Sequence, residues 1–280
     1  VLQDSYLVSL VSAGQMPRAI EYANELRARD AATPLARIVL RADLVKQGKW
    51  RDVLADIEAA PGDDSPGGGA LLDGMIRAWA LLGAGDANEA MAAFETMEQV
   101  PGAEAMARYH LGLARANVGD YEGANEAMAA PGVSAHLIDR LSGIENEPIL
   151  VDMRRRLEAG ETLPFDSIKG PADGIAQVFL TFAGALATGE EPDPLALIHA
   201  RLAGYVSPGL GEARLIAAQL LQSLGQFDLA EDEFGALAAA GEVRPVAELA
   251  RIEALVQAER MADAESAARA LTSAQPDLPS

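Results

Sequence analysis

Apolar and small residues recur along most of the chain at intervals of three and four positions, the spacing of an amphipathic helix. Short turns, most of them centred on glycine, separate these stretches at intervals of 34, 37 and 34 residues in the first half and 34 between the last two. A turn that recurs at this period predicts an all-α chain of stacked helical hairpins. Each turn residue is followed five positions later by a small residue, in the pairs Gly14–Ala19, Gly48–Val53, Gly85–Ala90, Gly119–Ala124, Gly225–Ala230 and Glu259–Ala264.

Two segments break the period. Between Pro131 and Pro171 the spacing is lost and proline, glycine and acidic residues accumulate, while a glycine-rich loop from Pro61 to Gly69 accounts for the 37-residue interval. Such compositions are typical of connectors between compact units. We therefore predict an N-terminal lobe of about four repeats over residues 1–130, an irregular helical connector over 131–171, and a C-terminal lobe of about three repeats over 172–280.

The fourth hairpin carries the most informative spacing. Its first helix contains Leu111-Gly112, its turn is Gly119-Asp120-Tyr121, and Ala124 is followed four positions later by Met128. This pattern and the period resemble the tetratricopeptide repeat (TPR) family, whose consensus is W-x2-L-G-x2-Y, then A-x3-F, then P. The sequence departs from the family at the Trp and first Tyr positions, which are both arginine in this hairpin. The resemblance implies a right-handed α-solenoid of helix–turn–helix hairpins in a bacterial TPR-containing protein.

Composition narrows the classes of partner. The 280 residues include 42 acidic and 22 basic ones, for a net charge of −20, and the densest basic run is Arg154–Arg156. A chain of this sign repels nucleic acid and anionic membrane surfaces, so we expect neither as a partner. No stretch of about 18 uninterrupted apolar residues occurs, so we predict no membrane span.

Residues suited to catalysis or metal binding are scarce. The absence of cysteine excludes disulfides, thiolate metal sites and a cysteine nucleophile. The three histidines, His110, His136 and His199, show none of the spacings of a metal site, and we expect His110 and His199 to be structural. No nucleophile elbow or phosphate-binding loop is present. We therefore predict a protein that is not an enzyme, with no catalytic, cofactor or metal site.

The TPR resemblance implies a concave groove lined by the first helix of each hairpin. Its lining positions are mostly apolar in this sequence, which disfavours a clamp for a partner's terminal carboxylate and favours a helical or extended segment of a protein partner of unknown identity. Three alternatives stay open for this surface: missing parts of the same chain fill it, a second copy covers it and makes a self-associating structural subunit, or these residues are ordinary core between helices. An all-α enzyme with a ligand site in the connector around Arg154–Pro164 is the remaining functional alternative. The predicted groove residues are Leu72, Met75, Trp79, Leu82, Tyr109, Leu113, Phe179, Leu186, Leu215 and Gln219.

Localisation is predicted only from the composition of the sequence and its interrupted repeats. Interrupted, alanine-rich arrays of this kind resemble exported TPR proteins of high-GC bacteria, which favours the periplasm over the cytoplasm. The chain begins Val1-Leu2-Gln3-Asp4, without an initiator methionine or a basic leader. We therefore expect a processed product or a fragment of a longer repeat protein.

Overall fold

The computed structural model describes residues 2–59, 69–130, 132–133, 168–187, 193–239 and 245–274. Every regular element within these ranges is an α-helix, which confirms the all-α prediction. Residues 61–68 of the predicted loop and most of the connector, with Arg154–Arg156 and His136, fall outside the described residues, whereas Gly69, predicted as the end of the loop, begins a helix. The helices are α1 Leu2–Ser12, α2 Met16–Ala28, α3 Pro34–Lys46, α4 Trp50–Ala59, α5 Gly69–Gly83, α6 Ala87–Met97, α7 Glu104–Asn117, α8 Tyr121–Met128, α9 Pro171–Leu186, α10 Pro194–Val206, α11 Gly211–Ser223, α12 Phe227–Ala239, α13 Pro245–Gln257 and α14 Met261–Ala274.

Local chemistry explains where these helices begin and end. Helix α5 is followed by Gly85 with φ of 90°, a left-handed conformation that glycine adopts without steric cost. At the start of α3 the side chain of Thr33 accepts a hydrogen bond from the backbone N–H of Ala36 at 3.2 Å. Asp193 caps α10 in the same way, accepting from Leu195 N–H at 2.8 Å. Gly85, which the sequence analysis identifies as a turn residue, therefore follows the end of α5, and side-chain caps at Thr33 and Asp193 begin α3 and α10.

Neighbouring helices pack in sequence order, through α1 to α8 and again through α9 to α14. Small residues allow this close approach. A Cβ atom placed on Gly112 of α7 would lie 2.9 Å from the Met128 side chain and 3.3 Å from the Ala124 carbonyl oxygen in α8. Only glycine fits that position without moving the neighbouring helix. The Leu-Gly pair of the fourth hairpin is thus explained by the contact between its two helices.

The helix pair α9 and α10, called the α9–α10 hairpin below, also packs against helices that are distant from it in sequence. Helix α9 contacts α5 and α7, and α10 contacts α1 and α3. The larger apolar core cluster accordingly contains residues from α1 to α8 as well as from α9 and α10. A second cluster extends from α9 to α13. The larger cluster crosses the connector, and the lobe boundaries at 130 and 172 stay a prediction of the repeat pattern.

The lengths and compositions of the described helices also bear on membranes. None of them combines the length and apolar character that a bilayer crossing requires.

Candidate interaction surface

The predicted groove residues lie mainly inside the molecule. Trp79 and Phe179 are among its largest fully buried side chains, whereas Leu186 and Gln219 are half-buried. In this arrangement the buried residues fill contacts between helices, and none of them is open to a partner. The buried members of the set are Leu72, Met75, Trp79, Leu82, Tyr109, Leu113, Phe179 and Leu215.

Trp79 shows what covers this face. Its indole packs edge-on against Phe94 of α6, with ring centroids 5.5 Å apart, and its Nε1–H donates to Nδ1 of His110 in α7 at 3.1 Å. A Cβ atom on Gly174 of α9 would overlap the indole ring, so the backbone of α9 lies directly against it. Trp79 therefore joins α5, α6, α7 and α9, and His110 has the structural role that the sequence predicts for it.

Polar contacts hold helix α10 of the α9–α10 hairpin against α1 and α3. The Tyr205 hydroxyl of α10 donates to Asp43 Oδ1 of α3 at 2.8 Å, and the Tyr205 carbonyl accepts from Lys46 Nζ at 2.6 Å. Burial, followed by the hydrogen bond to Asp43, raises the pKa of the Tyr205 phenol above its ordinary value. Arg201 Nε donates to the Ser12 carbonyl of α1 at 3.1 Å. These bonds set the register of α10 on α1 and α3.

His199 of α10 is buried beside two aromatic rings. The ring centroids of Phe179 and Phe182 both lie 6.0 Å from that of the imidazole. Its Nδ1 lies 2.7 Å from the Leu195 carbonyl oxygen, the geometry of an Nδ1–H donor. Burial lowers the pKa of His199 below its ordinary value, against the smaller raising effects of the Leu195 carbonyl and the Asp193 charge. His199 is therefore a neutral core residue at pH 7.

We expect protonation of His199 to make stability depend on pH. The unfolded chain takes up a proton near pH 6.5, whereas the folded imidazole resists it, so the free energy of unfolding is full above pH 6.5 and falls below it. One linked proton lowers that energy by up to about 1 kcal/mol between pH 6.5 and 5.5, because half of the unfolded imidazole is already protonated at pH 6.5. Urea unfolding across this range measures the slope. His199→Gln should make the free energy of unfolding less dependent on pH. An equal pH dependence in both proteins would mean that His199 does not cause it.

Two clusters of charged side chains link helices inside the structure. The Arg41 guanidinium of α3 is buried, bonds to Asp56 of α4 at 2.9 Å through Nε, and pairs with Asp73 of α5 through a terminal nitrogen. In the C-terminal hairpins, Glu231 of α12 accepts from Arg251 of α13 at 3.0 Å. Each cluster pairs cationic with anionic side chains from different helices, so both act as cross-links between helices. Their roles are structural.

Counting back from the turn aligns corresponding positions in different hairpins. The reference is the turn residue with positive φ. It is Gly85 (φ 90°) after α5, Gly225 (φ 72°) after α11 and Glu259 (φ 59°) after α13. We call the positions ten, six and three residues before it the inner-face positions. They are Met75, Trp79 and Leu82 in α5, Leu215, Gln219 and Gln222 in α11, and Leu249, Glu253 and Val256 in α13.

Burial of the inner-face positions decreases toward the C-terminal hairpin. All three are buried in α5, one is buried and two are half-buried in α11, and all three are exposed in α13. Leu249 is 52% exposed and Val256 is 40% exposed. The α13 face, defined by Leu249, Glu253 and Val256, therefore presents to solvent the register positions that are covered in α5. The sequence prediction missed it, although Glu259 had already been identified as the turn residue.

The described part of the chain offers little for metal chemistry. No three histidine, aspartate or glutamate side chains within it come together as metal ligands. The sequence was also compared with known proteins. No family model matches it, and no curated protein matches it. The TPR resemblance thus depends on the residues of this chain alone.

Proposed function

We propose that the protein is a non-enzymatic scaffold for protein–protein interaction, built as an α-solenoid of TPR-like hairpins. The observation that supports the proposal is the position of the α9–α10 hairpin on α1, α3, α5 and α7. The repeated apolar face of these helices accepts other helices as its packing partners. The corresponding α13 face is exposed, and on this proposal it receives a helical or extended segment of another protein.

The size of the exposed surface sets the strength of such an interaction. Complete burial of an aliphatic side chain such as Leu249 or Val256 contributes about 1.5–3 kcal/mol, whereas association costs about 4–15 kcal/mol. Two anchors of this kind support a weak and reversible complex unless further contacts add to them. Weak contacts suit a scaffold that gathers and releases its partners.

Photo-crosslinking in cells of the source organism tests the scaffold proposal. A benzoylphenylalanine residue at position 249 should form an adduct with a different protein. The matched position is Val118, which is 48% exposed in the turn after α7 and lies outside the α13 face. A folded protein that forms no adduct at position 249, or the same adducts at both positions, would contradict the proposal.

Self-association through the same face is the competing function. A net charge of −20 on each copy opposes it, because two such copies repel each other. Sedimentation velocity at high micromolar concentration separates the two functions. The scaffold proposal expects a monomer, and an adduct at position 249 with the mass of two copies would favour the assembly subunit instead.

A further inference from the structure

We propose that the α13 face binds a basic amphipathic segment of the partner, an inference that rests on the scaffold function above. Leu249 and Val256 are seven positions apart and lie on the same side of α13, separated by about 10.5 Å along the helix axis. Two apolar anchors at this separation match apolar residues spaced i, i+3 or i+4, and i+7 on a partner helix.

The charge between and beside these anchors is negative. Glu253 lies between them and is exposed, as is Glu259 at the turn that follows α13. Each arginine of residues 245–274 is engaged with acidic residues: Arg251 with Glu231, Arg260 with Glu231 and Asp263, and Arg269 with Glu265. Among the ion pairs of the described residues, none of these arginines pairs with Glu253 or Glu259, and both carboxylates are exposed, where they would attract a cationic partner.

The distribution of charge along the chain also favours a cationic partner. The first 60 residues contain eight acidic and eight basic residues, so the whole net charge of −20 belongs to residues 61–280. On α11 the adjoining inner-face positions are Gln219 and Gln222, which are neutral and half-buried. An approaching segment therefore meets apolar anchors with acidic and neutral side chains around them. A basic amphipathic segment complements this surface, whereas an acidic segment or a second copy of the chain is repelled.

Binding of two synthetic peptides tests the inference directly. Both are 18-residue amphipathic helices with leucines along one face, and the remaining positions are lysine in one and glutamate in the other. Fluorescence anisotropy with the full chain should detect binding of the lysine peptide, and its affinity should decrease as salt is added. The glutamate peptide should bind little. Equal binding of the two peptides would overturn the inference.

Variants of the α13 face assign the binding to its residues. The double change Leu249→Ser and Val256→Ser should weaken the lysine peptide by about tenfold or more, because both anchors lose their apolar contact. Glu253→Gln should weaken it by about two- to fivefold, the range of an exposed ion pair. The matched control, Val118→Ser, should leave the affinity unchanged. An equal effect of the control and the double change would overturn the inference.

The two proposals fail in different ways. An adduct at position 249 in cells, combined with indifference to peptide charge, would retain the scaffold and overturn the basic partner. Absence of any adduct at that position would overturn the scaffold itself. The exposed location of Leu249 and Val256 means that circular dichroism of the double variant should match that of the unaltered protein.

Discussion

Replacing Gly174 with leucine should lower the free energy of unfolding by about 3 kcal/mol, the upper part of the usual range for overpacking. The new side chain would overlap the Trp79 indole, which is held between Phe94 and the hydrogen bond to His110 and has no free space to enter. Helix α9 would have to move away from α5. Urea unfolding followed by tryptophan fluorescence measures the loss.

A second glycine of the same helix provides the matched control. Gly184 is exposed, and a Cβ atom added there would meet nothing within 4 Å. Gly184→Ala should therefore raise the free energy of unfolding by up to about 1 kcal/mol, because alanine favours a helix over glycine by that amount. Gly174→Ala should lower it instead. The same sign for both alanine variants would contradict the packing of α9 on Trp79.

Replacing Arg41 with alanine should lower the free energy of unfolding by about 3–5 kcal/mol. The change removes the cation that links α3 to Asp73 of α5 and Asp56 of α4, and it leaves the Asp73 carboxylate buried. Loss of the cation beside the buried Asp73 carboxylate is the main cost, since Asp56 is partly in contact with water. Chemical denaturation at pH 7 measures this effect.

Removing both buried charges separates this explanation from a simple loss of packing. The double change Arg41→Met and Asp73→Leu should recover most of the stability lost by Arg41→Ala, because the buried carboxylate is removed together with its cation and apolar side chains take their place. Recovery of less than half would mean that the geometry of the ion cluster matters beyond its charge balance. A loss below about 1 kcal/mol in the single variant would contradict the buried position of Arg41.

Turns and helix ends could be predicted because the residues that set them act locally. The positive φ of Gly85 and the cap formed by Thr33 depend on the few residues around them. The packing of the α9–α10 hairpin could not be predicted in this way. It depends on Gly174 lying against Trp79, two residues that the sequence separates by the whole connector. Apolar spacing identifies a helix face but does not specify which element covers it.

The same limit explains the candidate surface. Met75 and Leu249 occupy the same register position and are both apolar, yet one is buried and the other is exposed. No local pattern distinguishes them, because burial of Met75 depends on distant packing. The burial of Arg41 could not be predicted either. A single charged residue on a helix predicts a solvated position, and the acidic partners of Arg41 lie on two later helices.

A cysteine crosslink between α3 and α10 tests the position of the α9–α10 hairpin on α1, α3, α5 and α7. The chain has no cysteine of its own, so a short bismaleimide reacts only with engineered pairs. Lys46→Cys with Tyr205→Cys joins α3 to α10, where Lys46 Nζ lies 2.6 Å from the Tyr205 carbonyl oxygen. The control pair replaces Arg51 and Asp86, which form an ion pair of 2.7 Å between successive hairpins.

Mass spectrometry of the monomer after reaction and digestion reads out both pairs. We expect an intramolecular bridge in the 46–205 pair with a yield similar to that of the control pair. A bridged control with an unlinked 46–205 pair would mean that α10 does not lie on α3.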